Sequence, residues 1–348
     1  MDMHDFLMTR VGFTDLPLEE IRIADNKIRN DVPWSEVFLQ TASQLKAMAN
    51  SIEEDELQQE RYGYMWKWVS CAYHIASFDI HLNTTTQSLR KIEKLRKLAT
   101  VAYQNYIRFD EKITSVTLQV RGRTIDGYFR IPDEEYKSVV VLVNGLDSIC
   151  EVEMHAFGAK FLERGIAVLS LDIPAANATS PRKPHIDVQA YAVDIAEWII
   201  NDLVGHDVKL GVFGVSFGGL LVAQLLSASP AFQAGVAVSP PAWITHKELS
   251  QERIRRMFMW TFNIPEEKDI DRFVEPLDIH KLPVMSGKLK IIGMTEDTLF
   301  NRSHIDAYIN WGGDRVETQW YAAEHVGTSI IKNWLPQVCD WMKNELSR

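Results

Sequence analysis

Cysteine is scarce in this chain: three residues in 348, at Cys71, Cys150 and Cys339. They are odd in number, widely spaced and without a CxxC pair, which excludes a disulfide framework and a thiolate metal site. They read as reduced thiols filling core positions of a cytoplasmic protein. Long apolar runs are absent too. No stretch approaches the roughly 20 residues needed to span a bilayer, and the acidic start Met1-Asp2-Met3-His4-Asp5 is no signal peptide. Basic charge is in deficit. With 37 Lys and Arg against 47 Asp and Glu, the net charge of -10 disfavours nucleic acid or an anionic membrane as partner. There is no internal repeat and no low-complexity tract. HExxH, a histidine-carboxylate cluster at ligand spacing and a GxGxxG after a first strand are all missing, so no cofactor or metal is expected.

What is present is an ordinary globular composition, 46 % hydrophobic and 24 % charged. The length suits two structural units. Residues 1–110 carry apolar residues at helical spacing over 35–52, 57–80 and 85–109, so they read as a helical N-terminal cap. The basic cluster Arg90, Lys91, Lys94, Arg96 and Lys97 reads as a solvated helix face beside Glu93. Near residue 112 the period changes. Segments 114–120 and 124–131 form a hairpin signal around Arg121-Gly122-Arg123. Strands at 139–143, 166–171, 208–213, 235–239, 288–294 and 316–321 then alternate with helices at 151–164, 187–203, 302–311 and 328–346. That order predicts, over 111–348, a mostly parallel sheet of about eight strands with helices on both faces. Residues 240–286, with Trp243, Met257, Phe258, Met259, Trp260 and Phe262, interrupt the alternation as an insertion near the site.

The sequence centres on Gly214-Val215-Ser216-Phe217-Gly218-Gly219, set between the apolar run 208–213 and the helical 220–226. Strand, G-x-S-x-G and helix in that order make a nucleophile elbow. A serine needs a base, and the base an orienting acid. The expected chain order is serine, acid, histidine. Asp297 follows the strand 288–294 and His325 leaves the last strand before the closing helix, so both fall where they are needed. Glu296 is the rival acid. His246, His280 and His304 are rival bases, and His280 and His304 read as exposed histidines at a turn and a helix start. An oxyanion hole requires two N–H donors: Phe217 supplies one, and Gly145 or Leu146, in the loop Asn144-Gly145-Leu146-Asp147-Ser148, the other.

With these residues placed, the chain resembles an α/β-hydrolase of the FrsA-like group, which includes dihydroxypseudooxynicotine hydrolase and polyketide-shortening hydrolases. The resemblance rests on the helical N-terminus, the Gly-Leu-Asp loop at 145–147, the Gly-Val-Ser-Phe-Gly-Gly elbow, Glu-Asp at 296–297 and Glu-His at 324–325. It implies an α/β-hydrolase fold with an N-terminal helical cap, and a small-molecule substrate held between cap and sheet. The implied reaction is cleavage of an ester, or of a carbon–carbon bond beside a ketone, in a bulky aromatic or polyketide-like molecule. A homodimer is also implied. Asp147, Glu248, Trp243, Tyr64 and Trp68 are candidates to touch substrate. Each has a plainer reading: a turn residue for Asp147, an exposed insertion carboxylate for Glu248, and packing for the aromatics. Elimination, lactonisation or acyl transfer on the same fold stays open, as does a ligand receptor that has kept the triad.

Overall fold

The computed structural model describes residues 3–51, 59–80, 86–121, 123–172, 188–205, 207–262, 264 and 266–348. Ile52, Leu57, Thr85, Gly122 and Asp187, which the sequence assigns to helix ends and a turn, lie outside these. Two compact units emerge, one from the chain as far as Thr114 with Glu151–Ala156, the other from most of the remainder.

The first unit is helical, with helices Met3–Phe13, Leu18–Arg29, Trp34–Ser51, Gln59–Ile75 and Thr86–Ile107. Its core takes one apolar stripe from each long helix, including Val37, Phe38, Leu45, Val69, Ile92 and Leu95. Charges are buried here as well. Glu153 accepts from Arg10 at 2.8 Å and lies 2.9 Å from the fully buried His74. Partnering of this kind is what makes a buried carboxylate tolerable. The solvated basic face expected of the last helix is only partly so: Lys91, Lys94 and Lys97 are exposed, but Arg96 is 2 % exposed. Its position falls on the same stripe as Ile92 and Leu95.

The second unit holds the sheet. Its strands are β1 (Ile113–Val120), β2 (Arg123–Arg130), β3 (Ser138–Val143), β4 (Ala167–Leu171), β5 (Lys209–Val215), β6 (Phe232–Val238), β7 (Lys288–Met294) and β8 (Val316–Tyr321). These eight, among the described residues, lie in the order β1-β2-β4-β3-β5-β6-β7-β8. β2 runs antiparallel to β4, and β4, β3, β5, β6, β7 and β8 are mutually parallel. Val139 to Val143 are all fully buried, as a strand covered on both faces requires.

The order reverses at β3, which has β4 on one side and β5 on the other, and such a switch point opens a crevice at the strands' carboxyl ends. The pairing of Val143 with Gly214 brings the loops after β3 and β5 to that crevice side by side. Between β6 and β7 the chain makes helices Glu252–Thr261 and Ile270–Val274. The helix expected from 151 begins instead as a π-turn, Cys150–Met154, before His155–Leu162.

Candidate active site

Ser216 stands between β5 and the helix Phe217–Ala228 with φ 54° and ψ -126°. A left-handed serine costs about 1–3 kcal/mol, so the surroundings must impose it. Its N–H donates to Val238 O at 2.8 Å, and every residue from Phe217 to Leu226 is buried. The elbow glycines answer to space. A Cβ on Gly214 would lie 2.4 Å from Gly218 O, and one on Gly218 would lie 2.5 Å from Val143 O. Only hydrogen fits at either position.

His325 and Asp297 reach this serine from the ends of β8 and β7. His325 Nε2 is 2.8 Å from Ser216 Oγ, and its Nδ1 is 2.7 Å from Asp297 Oδ2. The other Asp297 oxygen accepts from the N–H groups of Leu299, at 2.8 Å, and Phe300, at 3.0 Å. Burial pushes the Asp297 carboxyl up, but the charge and hydrogen bond of His325 and these two amides outweigh it and hold the pKa below the ordinary carboxylate value. With the side chain 3 % exposed, the carboxylate is a fixed negative charge behind the imidazole. Phe300 sets its ring edge-on to His325, with centroids 5.5 Å apart.

The turn that carries His325 is itself constrained. Val326 has φ 70° and Gly327 φ 61°, and a β-branched residue there is a genuine outlier. Glu324 ties down the following residues, its carboxylate accepting from Ser329 N–H at 2.8 Å, Ser329 Oγ at 2.6 Å and Thr328 Oγ1 at 3.1 Å. Burial raises its pKa, but these donors more than offset that, leaving it below the ordinary value.

In the loop after β3, Gly145 N–H donates to Ser148 Oγ at 2.8 Å. Asn144 Nδ2 donates to Ser148 O at 2.9 Å and to Asp172 Oδ1 at 3.1 Å. Of the two expected amides, Gly145's is thus already engaged. A Cβ built on Gly145 would sit 3.8 Å from Ser216 Cβ, so this loop borders the serine directly. Asp147 is half-buried in the same loop.

His304 is not an exposed helix-start histidine but is 2 % exposed, with Nδ1 accepting from Ala242 N–H at 3.0 Å. Glu248 is not an exposed carboxylate: its side chain is 6 % exposed, with Oε1 3.7 Å from His304 Nε2. Its other oxygen accepts from the N–H of Thr245, at 3.0 Å, and from the Thr245 hydroxyl. Trp243 is half-buried and lies against two imidazoles, 4.3 Å from His304 and 5.7 Å from His280 by ring centroids. The sequence missed this because the partners of His304 come from the insertion. His280 and His246 pair with Asp278 and Asp271 at the surface. Tyr64, 42 % exposed, and the half-buried Trp68 belong to the helical unit. Among the described residues, no group of three or more His, Cys, Asp or Glu could hold a metal ion, and no helix is long and apolar enough to cross a membrane.

A family model described as FrsA-like esterase matches residues 35–262. Among solved structures, a 2,6-dihydroxy-pseudo-oxynicotine hydrolase is similar over 97 % of this chain and 95 % of its own, with a TM-score of 0.82 at 15 % identity. AbyA5 covers 89 % of this chain and 95 % of its own, with a TM-score of 0.63 at 13 % identity. An esterase of Pyrococcus furiosus covers 67 % of this chain and 93 % of its own, with a TM-score of 0.50 at 22 % identity. At such identities the likeness is one of fold. No curated protein matches the sequence.

Proposed function

The chain belongs to the FrsA-like esterase family of α/β-hydrolases, and from that premise we propose that it is a serine hydrolase whose nucleophile is Ser216, with His325 as base and Asp297 as orienting acid. The observation that carries this reading is the unbroken hydrogen-bonded line Asp297–His325–Ser216, at 2.7 and 2.8 Å. Asp297 holds the proton of His325 on Nδ1, which leaves Nε2 free to take the serine proton as Oγ attacks a carbonyl. The tetrahedral oxyanion is received by the N–H of Phe217, at the start of the buried helix, and by that of Leu146, since Gly145's amide is spent on Ser148. His325 then returns the proton to the leaving group. Water, activated by the same imidazole, releases the acyl group from Ser216.

Two bond types suit this machinery: an ester, whose leaving group is an alcohol, and a carbon–carbon bond beside a ketone, whose leaving group departs as an enolate. We propose a bulky aromatic or polyketide-like molecule as substrate. A fluorophosphonate probe should label the wild type at Ser216 and leave Ser216→Ala unlabelled. Turnover of an aryl ester should fall by about 10⁴-fold or more in Ser216→Ala. An unlabelled wild type, or an alanine variant that keeps most of its turnover, would refute the assignment.

A further inference from the structure

The dipeptide Val238-Ser239, where β6 ends, touches both catalytic loops, and we propose that Ser239 is a positioning residue that holds His325 in line with Ser216. The proposal rests on the acyl-transfer reading above and adds to it a residue outside the triad. Val238 O accepts the N–H of Ser216 at 2.8 Å. The next residue, Ser239, is 2 % exposed, and its N–H donates to Ile292 O on β7 at 2.9 Å. Its hydroxyl accepts the N–H of Val326, the residue after His325, at 3.0 Å. Two consecutive residues therefore fix the backbone of the nucleophile and the backbone of the base, with an anchor to β7, the strand that leads to Asp297.

The choice of residue is telling. Ser239 has φ 46°, a conformation that glycine adopts freely and serine only at a cost. What glycine lacks is the hydroxyl. The bond that hydroxyl makes goes to Val326, itself at φ 70°, where a β-branched residue relaxes unless held. Glu324 braces the far side of the turn through residues 328 and 329; Ser239 braces the near side. Without it, Val326 returns toward an ordinary φ and the imidazole turns with it. A displacement of about 1 Å is enough to cost on the order of a hundredfold in rate.

Three variants separate this role from a purely structural one. Ser239→Ala removes the hydroxyl and keeps the strain, Ser239→Gly removes both, and Ser239→Thr keeps the hydroxyl while adding a branch that the positive φ disfavours. The expected result is that Ser239→Ala and Ser239→Gly both lose on the order of ten- to a hundredfold in kcat and in fluorophosphonate labelling rate, with KM little changed. Ser239→Thr should keep its rate although it melts below wild type, and Ser239→Gly should melt above Ser239→Ala while being equally slow. Activity would then follow the hydroxyl and not the stability. Wild-type rates in the alanine and glycine variants, or rates that rank with Tm, overturn the proposal. The downfield NMR signal of the His325 Nδ1–H held by Asp297 gives a readout that needs no turnover. It should shift or broaden in Ser239→Ala and Ser239→Gly and persist in Ser239→Thr, and its persistence in all three overturns the proposal. If wild-type Ser216 fails to label, the acyl-transfer reading falls by itself, and this signal still decides whether Ser239 positions the imidazole.

Discussion

The Gly145 amide donates to the Ser148 hydroxyl within its own loop, at 2.8 Å. The loop is braced a second time by Asn144, whose amide group joins Ser148 O to the Asp172 carboxylate. Such bracing is how a short connection holds a neighbouring N–H at a fixed point, and preorganised donors are worth more than donors that must be gathered during reaction.

Replacing Ser148 by alanine leaves the Gly145 amide without its acceptor inside a buried loop, at a cost of about 1–3 kcal/mol. We expect kcat for an aryl ester to fall on the order of tenfold with KM changed less, because the loss falls on the transition state. Steady-state kinetics check this; an unchanged kcat would show that Leu146 keeps its place without the brace.

The Asp297→Asn variant tests the acid. Asparagine keeps an oxygen for the amides of Leu299 and Phe300 but presents NH₂ to His325, which favours the wrong tautomer, and kcat should fall by about 10⁴-fold. The same variant has a stability signature. The wild-type carboxyl titrates below its ordinary value, so its contribution is fully present above the unfolded pKa and is lost as pH falls through the folded one. Below about pH 4, the Tm of wild type should therefore drop more steeply than that of Asp297→Asn. Parallel melting curves across that range would count against the buried charge.

The glycines of the Gly214–Gly219 turn and the sheet are legible in the sequence because each leaves a local mark. Gly214 and Gly218 are required because a Cβ at either would meet a backbone oxygen at 2.4 or 2.5 Å, and a glycine pair about a serine is visible in any sequence. Strands β7 and β8 span the residues the sequence assigns to them, 288–294 and 316–321. Ser239 and His304 carried no such mark. Ser239 acts through one hydroxyl on a residue 87 positions away, and His304 is buried by Trp243 and Ala242, 61 and 62 residues earlier in the chain. A histidine at a helix start looks exposed until the segment that covers it is folded. Arg96 is buried for the same kind of reason, since charge predicts exposure one residue at a time whereas burial is decided by the whole stripe.

The burial of His304 has a consequence for stability against pH. Burial lowers its pKa, only partly offset by the negative charges of Glu248 and Asp297, with Lys247 acting in the lowering direction. The folded protein therefore resists a proton that the unfolded chain accepts, and stability declines as pH falls below about 6.5 toward the folded value. His304→Asn keeps an acceptor for Ala242 N–H and removes the titration. Its Tm should change less than that of wild type between about pH 6.5 and 5. Equal slopes in differential scanning fluorimetry would mean that His304 does not carry this dependence.

Two glycines that border Ser216 should answer oppositely to the same substitution. A methyl group at Gly218 would meet Val143 O at 2.5 Å and Asn144 O at 2.9 Å. Both are backbone atoms of a central strand and its loop, so neither can yield cheaply. Gly218→Ala should cost about 3 kcal/mol or more, read as a lowered urea midpoint at unchanged slope. At Gly145 the nearest atoms to such a methyl, Ser148 Oγ and Val215 O, are both 3.4 Å away, and the residue has no left-handed φ to defend. Gly145→Ala should therefore unfold within about 0.5 kcal/mol of wild type. Its added methyl would nonetheless stand 3.8 Å from Ser216 Cβ, so any penalty should appear as a raised KM for bulky esters and not in the unfolding curve. If Gly145→Ala proved as unstable as Gly218→Ala, the loop after β3 would have to be packed far more tightly than these distances describe.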